Sequence, residues 1–232
     1  MTKFIAHRGF GKEKKGNTLT AFQCAADSAV YGVETDVRIT KDGIFVAFHD
    51  KSTANLCGKH KVIEKTNYKD VQKLKVLDGL RRHCVPLFMD YLRNCKSNRK
   101  IAVVEIKSNL SKEQTETLVE LISDNNYLSN TIFISFNRRV LKYIRKLLPK
   151  QPIQMLTIKY REEDLDFLQE NKFDIDISHL QLTKERIAEF HKRGIFVNCW
   201  TVNGSRRSKN LQQWGVDFIT TDKIAISDNE IS

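Results

Sequence analysis

The sequence is poor in the residues that define fibrous, low-complexity and disulfide-bonded chains. It has 10 glycines and 3 prolines in 232 residues, which excludes a collagen-like or low-complexity chain. Its cysteines are odd in number, and none forms a CxxC pair or lies at zinc-ligand spacing from a histidine. These are Cys24, Cys57, Cys84, Cys95 and Cys199. The pattern predicts reduced thiols, as in a cytoplasmic protein.

Long apolar runs are also lacking. Runs such as those within 101–105 and 131–135 have no more than five apolar residues, whereas a membrane-spanning helix needs roughly 20. The first ten residues contain no extended apolar stretch, so no secretory signal is predicted. We therefore expect a cytoplasmic protein without a transmembrane segment, and peripheral contact with a membrane stays open.

The charge balance is basic. Lys and Arg number 39 against 28 Asp and Glu, giving a net charge of +11. With 41% hydrophobic residues, the chain has enough apolar side chain to fold around a core, which excludes disorder. The basic clusters contain one aromatic residue, Tyr143, and no nucleic-acid-binding module is recognisable. The surplus thus indicates attraction of small anions and argues against nucleic acid as a partner.

Short β-rich runs alternate with longer segments of helical period. Eight strands are predicted, at 3–6, 33–39, 101–106, 132–135, 153–156, 174–177, 195–201 and 217–220. Between them lie helical patterns such as 18–30, 138–148 and 183–192. This alternation predicts parallel strands joined by helices, and eight units in 232 residues predict a (β/α)8 TIM barrel.

One stretch breaks the alternation after the second strand. Asp42-Gly43 between two β-rich runs predicts a hairpin, and about 50–85 has the composition of a mainly polar insertion. The helical sequence VPLFMDYLRNC then resumes the barrel. We expect one domain over 1–232 with an insertion after the second strand.

Three acidic residues are predicted to meet at one end of this barrel. Glu34 and Asp36 lie two apart on the second strand, so both face the same side, and Glu105 ends the third strand. The carboxyl ends of barrel strands form the active-site face. Three converging carboxylates are costly unless a cation neutralises them, and oxygen ligands favour Mg²⁺ or Ca²⁺.

Basic and histidine side chains are predicted at the same end. His7 and Arg8 close the first strand, Lys107 follows Glu105, and the hairpin brings His49 back toward the second strand. A cation with Arg and Lys matches a phosphate group, and two histidines suit general acid–base work near neutral pH. The residues alone thus indicate metal-assisted cleavage of a phosphodiester.

The order of these motifs resembles the glycerophosphodiester phosphodiesterase family. The matching strings are HRG, NTLTAF, VETDVRITKDGIFVAFHD, VEIK, NCWTVN and GVDFITTD, which span residues 4–223. The resemblance implies a (β/α)8 barrel with an insertion after the second strand. It also implies hydrolysis of a glycerophosphodiester to glycerol 3-phosphate and an alcohol, through attack by the glycerol 2-hydroxyl and a cyclic phosphate.

The resemblance also implies roles for single residues. His7 and His49 match the general acid and base, and Trp200 matches an aromatic residue of the substrate pocket. The implied metal ligands are Glu34, Asp36 and Glu105, for Mg²⁺ or Ca²⁺ with Mn²⁺ as a further candidate. Arg8 and Lys107 match the phosphate contacts.

The sequence departs from the family where ENT is usual and Gly16-Asn17-Thr18 stands here. The lost carboxylate puts metal affinity and turnover rate in question. Asn17 either caps the first helix or holds the first loop near the site. Two alternatives to a glycerophosphocholine-type hydrolase remain. One is a lysophospholipase D, and the other is a weakly active phosphodiester-binding regulatory protein.

Overall fold

The computed structural model describes residues 1–228, and within them eight parallel strands close into a barrel. Strand β1 pairs with β11 on one side and β2 on the other, in the order β1, β11, β10, β9, β8, β7, β6, β2. The strands are β1 (Lys3–Ala6), β2 (Gly32–Ile39), β3 (Phe45–Ala47), β4 (Lys75–Asp78), β5 (Arg81–Cys84), β6 (Ile101–Ile106), β7 (Thr131–Ser135), β8 (Ile153–Thr157), β9 (Asp174–Ser178), β10 (Val197–Trp200) and β11 (Phe218–Thr221). The predicted TIM barrel is confirmed, with all eight predicted strands overlapping observed ones.

The helices follow the strands and cover the outside of the barrel. They are α1 (Leu19–Ala26), α2 (Ala54–Cys57), α3 (Tyr68–Val71), α4 (Phe88–Ser97), α5 (Lys112–Asp124), α6 (Arg138–Leu147), α7 (Glu163–Asn171), α8 (Lys184–Lys192), α9 (Ser205–Gln213) and α10 (Ile224–Asp228). Side-chain caps begin some of them: Ser111 and Gln114 form a capping box at α5, and Thr18 accepts from the Ala21 amide at α1. A core of buried apolar residues fills the space between these helices and the strands.

After β2 the chain turns back at Gly43, whose φ of +85° favours glycine, and β3 pairs antiparallel with β2. The segment that follows buries several apolar side chains, although its composition is mainly polar. Ile63, Val71 and Val76 are buried there against Val46 and Phe48. The insertion therefore has a small hydrophobic core of its own, continuous with the hairpin.

Side chains that point into the barrel form layers contributed by alternate strands. Near the carboxyl ends, β2, β7, β9 and β11 contribute Glu34, Ile134, Asp176 and Thr220. The intervening strands β6, β8 and β10 contribute Glu105, Leu156 and Trp200. All seven line one cavity, so at this end of the barrel polar side chains stand beside apolar ones.

Candidate active site

The cavity at the carboxyl ends of the strands has a volume of about 280 Å³. It brings together seven of the eight residues that the sequence predicted for the site, and Asp36 lies against them. One part of its wall is charged, with His7, Arg8, Glu34, His49, Glu105 and Lys107. The remaining wall is mostly apolar and consists of Ile134, Phe136, Leu156, Asp176, Trp200, Thr201 and Thr220.

Three buried carboxylates form the centre of the charged part. Asp36 and Glu105 are register partners on the neighbouring strands β2 and β6, and Glu34 lies two residues before Asp36. One oxygen from each lies within 4.8 Å of the others, which is close enough for a single ion to bridge all three.

Two cations partly balance this cluster. Arg8 Nε lies 2.9 Å from Asp36 Oδ2, and Lys107 Nζ lies 2.7 Å from Glu105 Oε1. Burial alone would raise the pKa of Asp36, but Arg8 and Lys107 outweigh it and hold that pKa at about 2. Asp36 is therefore an ionised carboxylate under all ordinary conditions.

Nearby cations do not fully balance the negative charge of the other two carboxylates, Glu34 and Glu105. Burial, together with the charge of Asp36, raises the pKa of Glu105 to about 7 and that of Glu34 well above its usual range. Among the described residues, Glu34 Oε1 is buried and accepts no hydrogen bond. A buried, unpartnered oxygen in an all-carboxylate set fits a hard divalent cation such as Mg²⁺ or Ca²⁺.

His7 lies at the end of β1, where the backbone makes a tight turn. Its Nδ1 lies 2.7 Å from Asp222 Oδ1, and its Nε2 lies 4.0 Å from Glu34 Oε2. The turn depends on Gly9, because a Cβ there would lie 2.5 Å from the carbonyl carbon of Ala21. The same turn lets the Arg8 amide donate to Glu34 Oε2 at 2.9 Å. Asp222 thus orients His7 so that Nε2 faces the acid cluster.

His49 follows the hairpin strand β3 and has a matching arrangement. Its Nδ1 lies 2.7 Å from Asp50 Oδ1, and its carbonyl accepts from Arg38 Nε and Nη2 at 2.9 and 2.7 Å. Burial lowers the pKa of His49, against the opposing charge of Asp36. His49 is thus held in place through both its carbonyl and its ring Nδ1.

Asn17 holds the first loop to the site and does not cap α1, where Thr18 takes that position. Its amide nitrogen donates to Asp36 Oδ2 at 2.7 Å, and its carbonyl oxygen accepts from Thr35 Oγ1 at 2.8 Å. A Cβ on Gly16 would lie 3.0 Å from Arg8 Cβ. A side chain at position 16 would therefore contact Arg8.

Three acids near the cavity were not singled out by the sequence. Asp50 and Asp222 are the histidine partners, and both stand in strings that the sequence comparison used, FHD and TTD. Asp176 is fully buried on β9, its Oδ1 accepts no hydrogen bond among the described residues, and burial raises its pKa well above the usual range. An acidic residue inside the buried run DIDIS was the available signal for it.

Trp200 lies at the end of β10 on the apolar side of the cavity. Its ring packs edge-to-face on Phe136 at 6.1 Å between centroids, and its Nε1 donates to the Asp176 carbonyl at 3.3 Å. This pair forms an aromatic part of the cavity wall.

A model described as the glycerophosphoryl diester phosphodiesterase family matches residues 7–226. The chain is 27% identical to the putative glycerophosphodiester phosphodiesterase YhdW of Bacillus subtilis, over 94% of this chain and 93% of that protein. It is 26% identical to a glycerophosphodiester phosphodiesterase of Caldanaerobacter subterraneus, over 95% and 94%.

Solved structures with the same fold include two enzymes of this kind. A phosphodiesterase of Oleispira antarctica, in complex with the product sn-glycerol-3-phosphate, superposes with a TM-score of 0.90 at 20% identity, covering 100% of this chain and 98% of that one. A glycerophosphodiester phosphodiesterase of Parabacteroides distasonis gives 0.85 at 26% identity, covering 99% and 95%.

Proposed function

The chain belongs to the glycerophosphoryl diester phosphodiesterase family, and from that we propose that it hydrolyses glycerophosphodiesters such as glycerophosphocholine to glycerol 3-phosphate and an alcohol. The observation that carries the proposal is the pairing of two aspartate-oriented histidines with a buried three-carboxylate cluster around one cavity. We further propose that the reaction depends on a divalent cation.

Glu34, Asp36 and Glu105 would hold the cation, since each offers a buried oxygen to the same small volume. When bound, a divalent ion supplies charge that stabilises the oxygens of the reacting phosphate. Mg²⁺ and Ca²⁺ suit these ligands, and Mn²⁺ is a third candidate.

Arg8 and Lys107 supply fixed positive charge on the same side of the cavity. Each already lies within ion-pair distance of a carboxylate of the cluster. A phosphate entering the cavity would meet both cations, and its non-bridging oxygens would accept their hydrogen bonds. Negative charge that develops on these oxygens during the reaction is stabilised by the same contacts.

The two histidines would move the protons. We assign the base to His49, because burial lowers its pKa and leaves Nε2 neutral and able to accept the proton of the glycerol 2-hydroxyl. That oxygen then bonds to phosphorus while the bond from phosphorus to the departing alkoxide breaks. His7, whose Nε2 faces Glu34, donates the proton to the alkoxide. Water then opens the cyclic phosphate with the roles reversed.

The activity is tested by incubating the protein with glycerophosphocholine and Mg²⁺, Ca²⁺ or Mn²⁺ and measuring glycerol 3-phosphate. We expect product with at least one ion and none with a chelator. His7→Ala and His49→Ala should each lower kcat by about 10² to 10⁴. Absence of product with every ion would instead favour the phosphodiester-binding regulatory protein.

A substrate with a p-nitrophenolate leaving group separates the two histidines, because this group departs without a proton. In a single turnover, His7→Ala should recover most of the rate of p-nitrophenolate release, because His7 is then needed only for the later opening of the cyclic phosphate, whereas His49→Ala should stay impaired. Recovery by His49→Ala alone would reverse the assignment.

The apolar wall favours one alternative substrate class. Ile134, Phe136, Leu156 and Trp200 would also accommodate part of an acyl chain, as a lysophospholipase D requires. Measuring hydrolysis of lysophosphatidylcholine and of glycerophosphocholine decides between the two substrate classes. We expect the higher kcat/KM for glycerophosphocholine, because the cavity volume is only about 280 Å³.

A further inference from the structure

Three large apolar side chains are exposed side by side around the mouth of the barrel. Phe136, Ile158 and Leu180 are 47%, 60% and 77% exposed. We call these three residues the apolar rim. Single exposed apolar residues are ordinary on protein surfaces, but neighbouring ones mark interaction sites.

The rim follows from the strand order. Its members come one or two residues after the ends of β7, β8 and β9, which are consecutive neighbours in the barrel. The carboxyl ends of these strands point the same way, so the three side chains occupy one edge of the mouth. Phe136 also lines the cavity, which makes the rim continuous with the candidate active site.

Positive charge surrounds this edge. The segments that carry the rim, 136–139, 158–162 and 179–183, contain four Lys and Arg and one acid, Glu162. Two of these cations, Arg138 and Arg161, form ion pairs with acids of α7. The mouth loop at 7–18 has four Lys and Arg against one acid, and segment 40–87 has ten against five. Together these segments, which follow the carboxyl ends of strands, have a net charge equal to the +11 of the whole chain.

We propose that the mouth side of the barrel docks on the surface of an anionic phospholipid bilayer, with the apolar rim in contact with the lipid. Apolar side chains surrounded by Lys and Arg match the interface of an anionic membrane in both hydrophobicity and charge. Within residues 1–228 the helices are too short or too polar to traverse a bilayer, so this contact is peripheral. Docking in this orientation turns the cavity opening toward the headgroups.

The test is co-sedimentation with vesicles of phosphatidylcholine alone or with 30% phosphatidylserine, using the intact chain. We expect binding to the anionic vesicles only, weakened at least 10-fold by 0.5 M NaCl. Ile158→Ser/Leu180→Ser should weaken it at least 10-fold as well. Neither residue lines the cavity, so hydrolysis of soluble glycerophosphocholine should be unchanged, and vesicle binding is read independently of catalysis.

The matched control is Leu147→Ser/Phe196→Ser, which removes two exposed apolar residues from the opposite end of the barrel. Its vesicle binding should equal that of the unchanged chain. Equal loss in both variants, no loss in the rim variant, or no binding to anionic vesicles would overturn the proposal. A concentration-dependent dimer that the rim variant abolishes and the control variant retains would also overturn the proposal, because a second copy of the chain would then cover the rim.

Discussion

Both histidines at the cavity are held through Nδ1 by an aspartate, at 2.7 Å in each case. Such a contact places the proton on Nδ1 and leaves Nε2 as the nitrogen for the proposed proton transfers. Asp222 also accepts from Asn203 Nδ2 at 2.8 Å, so its own position is fixed. These aspartates position the histidines, and neither aspartate lines the cavity.

The role of Asp222 can be tested with Asp222→Asn. We expect kcat to fall about 10- to 100-fold with KM little changed, because the amide no longer enforces one tautomer or stabilises the protonated ring. In the His7→Ala background, Asp222→Asn should lower kcat no further. Asp217→Asn, which alters the His191 pair at the other end of the barrel, is the control and should leave kcat unchanged. Full additivity with His7→Ala would show that Asp222 acts elsewhere.

Position 16 offers a second residue-scale prediction. A Glu there would contact Arg8 and add a fourth carboxylate beside the cluster, so Gly16→Glu should tighten divalent-cation binding several-fold by calorimetry. Gly16→Ala tests the close approach to Arg8 without the charge and should leave the affinity unchanged. Equal affinities in both variants would mean that the missing carboxylate is irrelevant to the ion.

The sequence predicted the residues that carry charge at strand ends, since barrel topology brings such positions together. It did not identify Asp50, Asp176 or Asp222. The two histidine partners are defined by side-chain direction, which strand spacing does not specify. Asp174 and Asp176 have the same spacing on β9 as Glu34 and Asp36 have on β2, but only Asp176 lines the cavity, so spacing alone does not identify it.

At the scale of elements, the insertion is tied to the site by one chain of contacts. Glu64, in the insertion, accepts from Arg38 Nη1 at 2.7 Å, and Arg38 in turn holds the His49 carbonyl. Glu64 also accepts from Ser108 Oγ at 2.8 Å. The small core of the insertion thus supports the loop that presents His49.

Ile63→Ala tests whether that core is cooperative with the barrel. Ile63 is fully buried next to Glu64, so we expect a loss of about 2–4 kcal/mol in the free energy of unfolding, with a lower kcat. Leu80→Ala, at an exposed position of the same insertion, should change stability by less than about 0.5 kcal/mol. Urea unfolding measures both. A stable Ile63→Ala variant with unchanged kcat would show that the insertion contributes nothing to holding His49.

Element prediction succeeded for the barrel and was weaker for the insertion. Buried parallel strands have short apolar runs between helical patterns, which a sequence displays directly. Helices α2 and α3 have four residues each, too few to show a period. Their packing around Ile63 and Val76 depends on contacts between residues distant in sequence. The sequence therefore shows the polar composition of this segment but not its small core.

At the scale of the whole molecule, the buried acids link stability to pH and to metal. Glu34 and Glu105 have raised pKa values in the folded chain, so between about pH 4.5 and 7 it binds more protons than the unfolded chain. Without metal, stability therefore falls as pH rises through this range. Asp36, with its pKa at about 2, stays ionised and does not contribute to the change.

A divalent cation should reverse this loss, and more strongly at pH 8 than at pH 5, where protons compete for the same oxygens. At 100-fold excess over Kd, Tm should rise by about 5–10 °C at pH 8. Differential scanning calorimetry of the unchanged chain and Glu34→Gln measures the effect. The variant should show little metal-dependent shift. Equal shifts at both pH values would place the ion away from these carboxylates.

The closure of the barrel by β1 against β11 has a consequence for synthesis. His7 and Asp222 are 215 positions apart, yet they meet because the first strand pairs with the last of the eight. During translation, His7 is synthesised early, but Asp222 follows β11 near the end of the chain. The His7 ring can therefore be oriented only after β11 has been made. If His7 acts as proposed, translation products that lack β11 should be inert toward phosphodiesters, however well their early helices have formed.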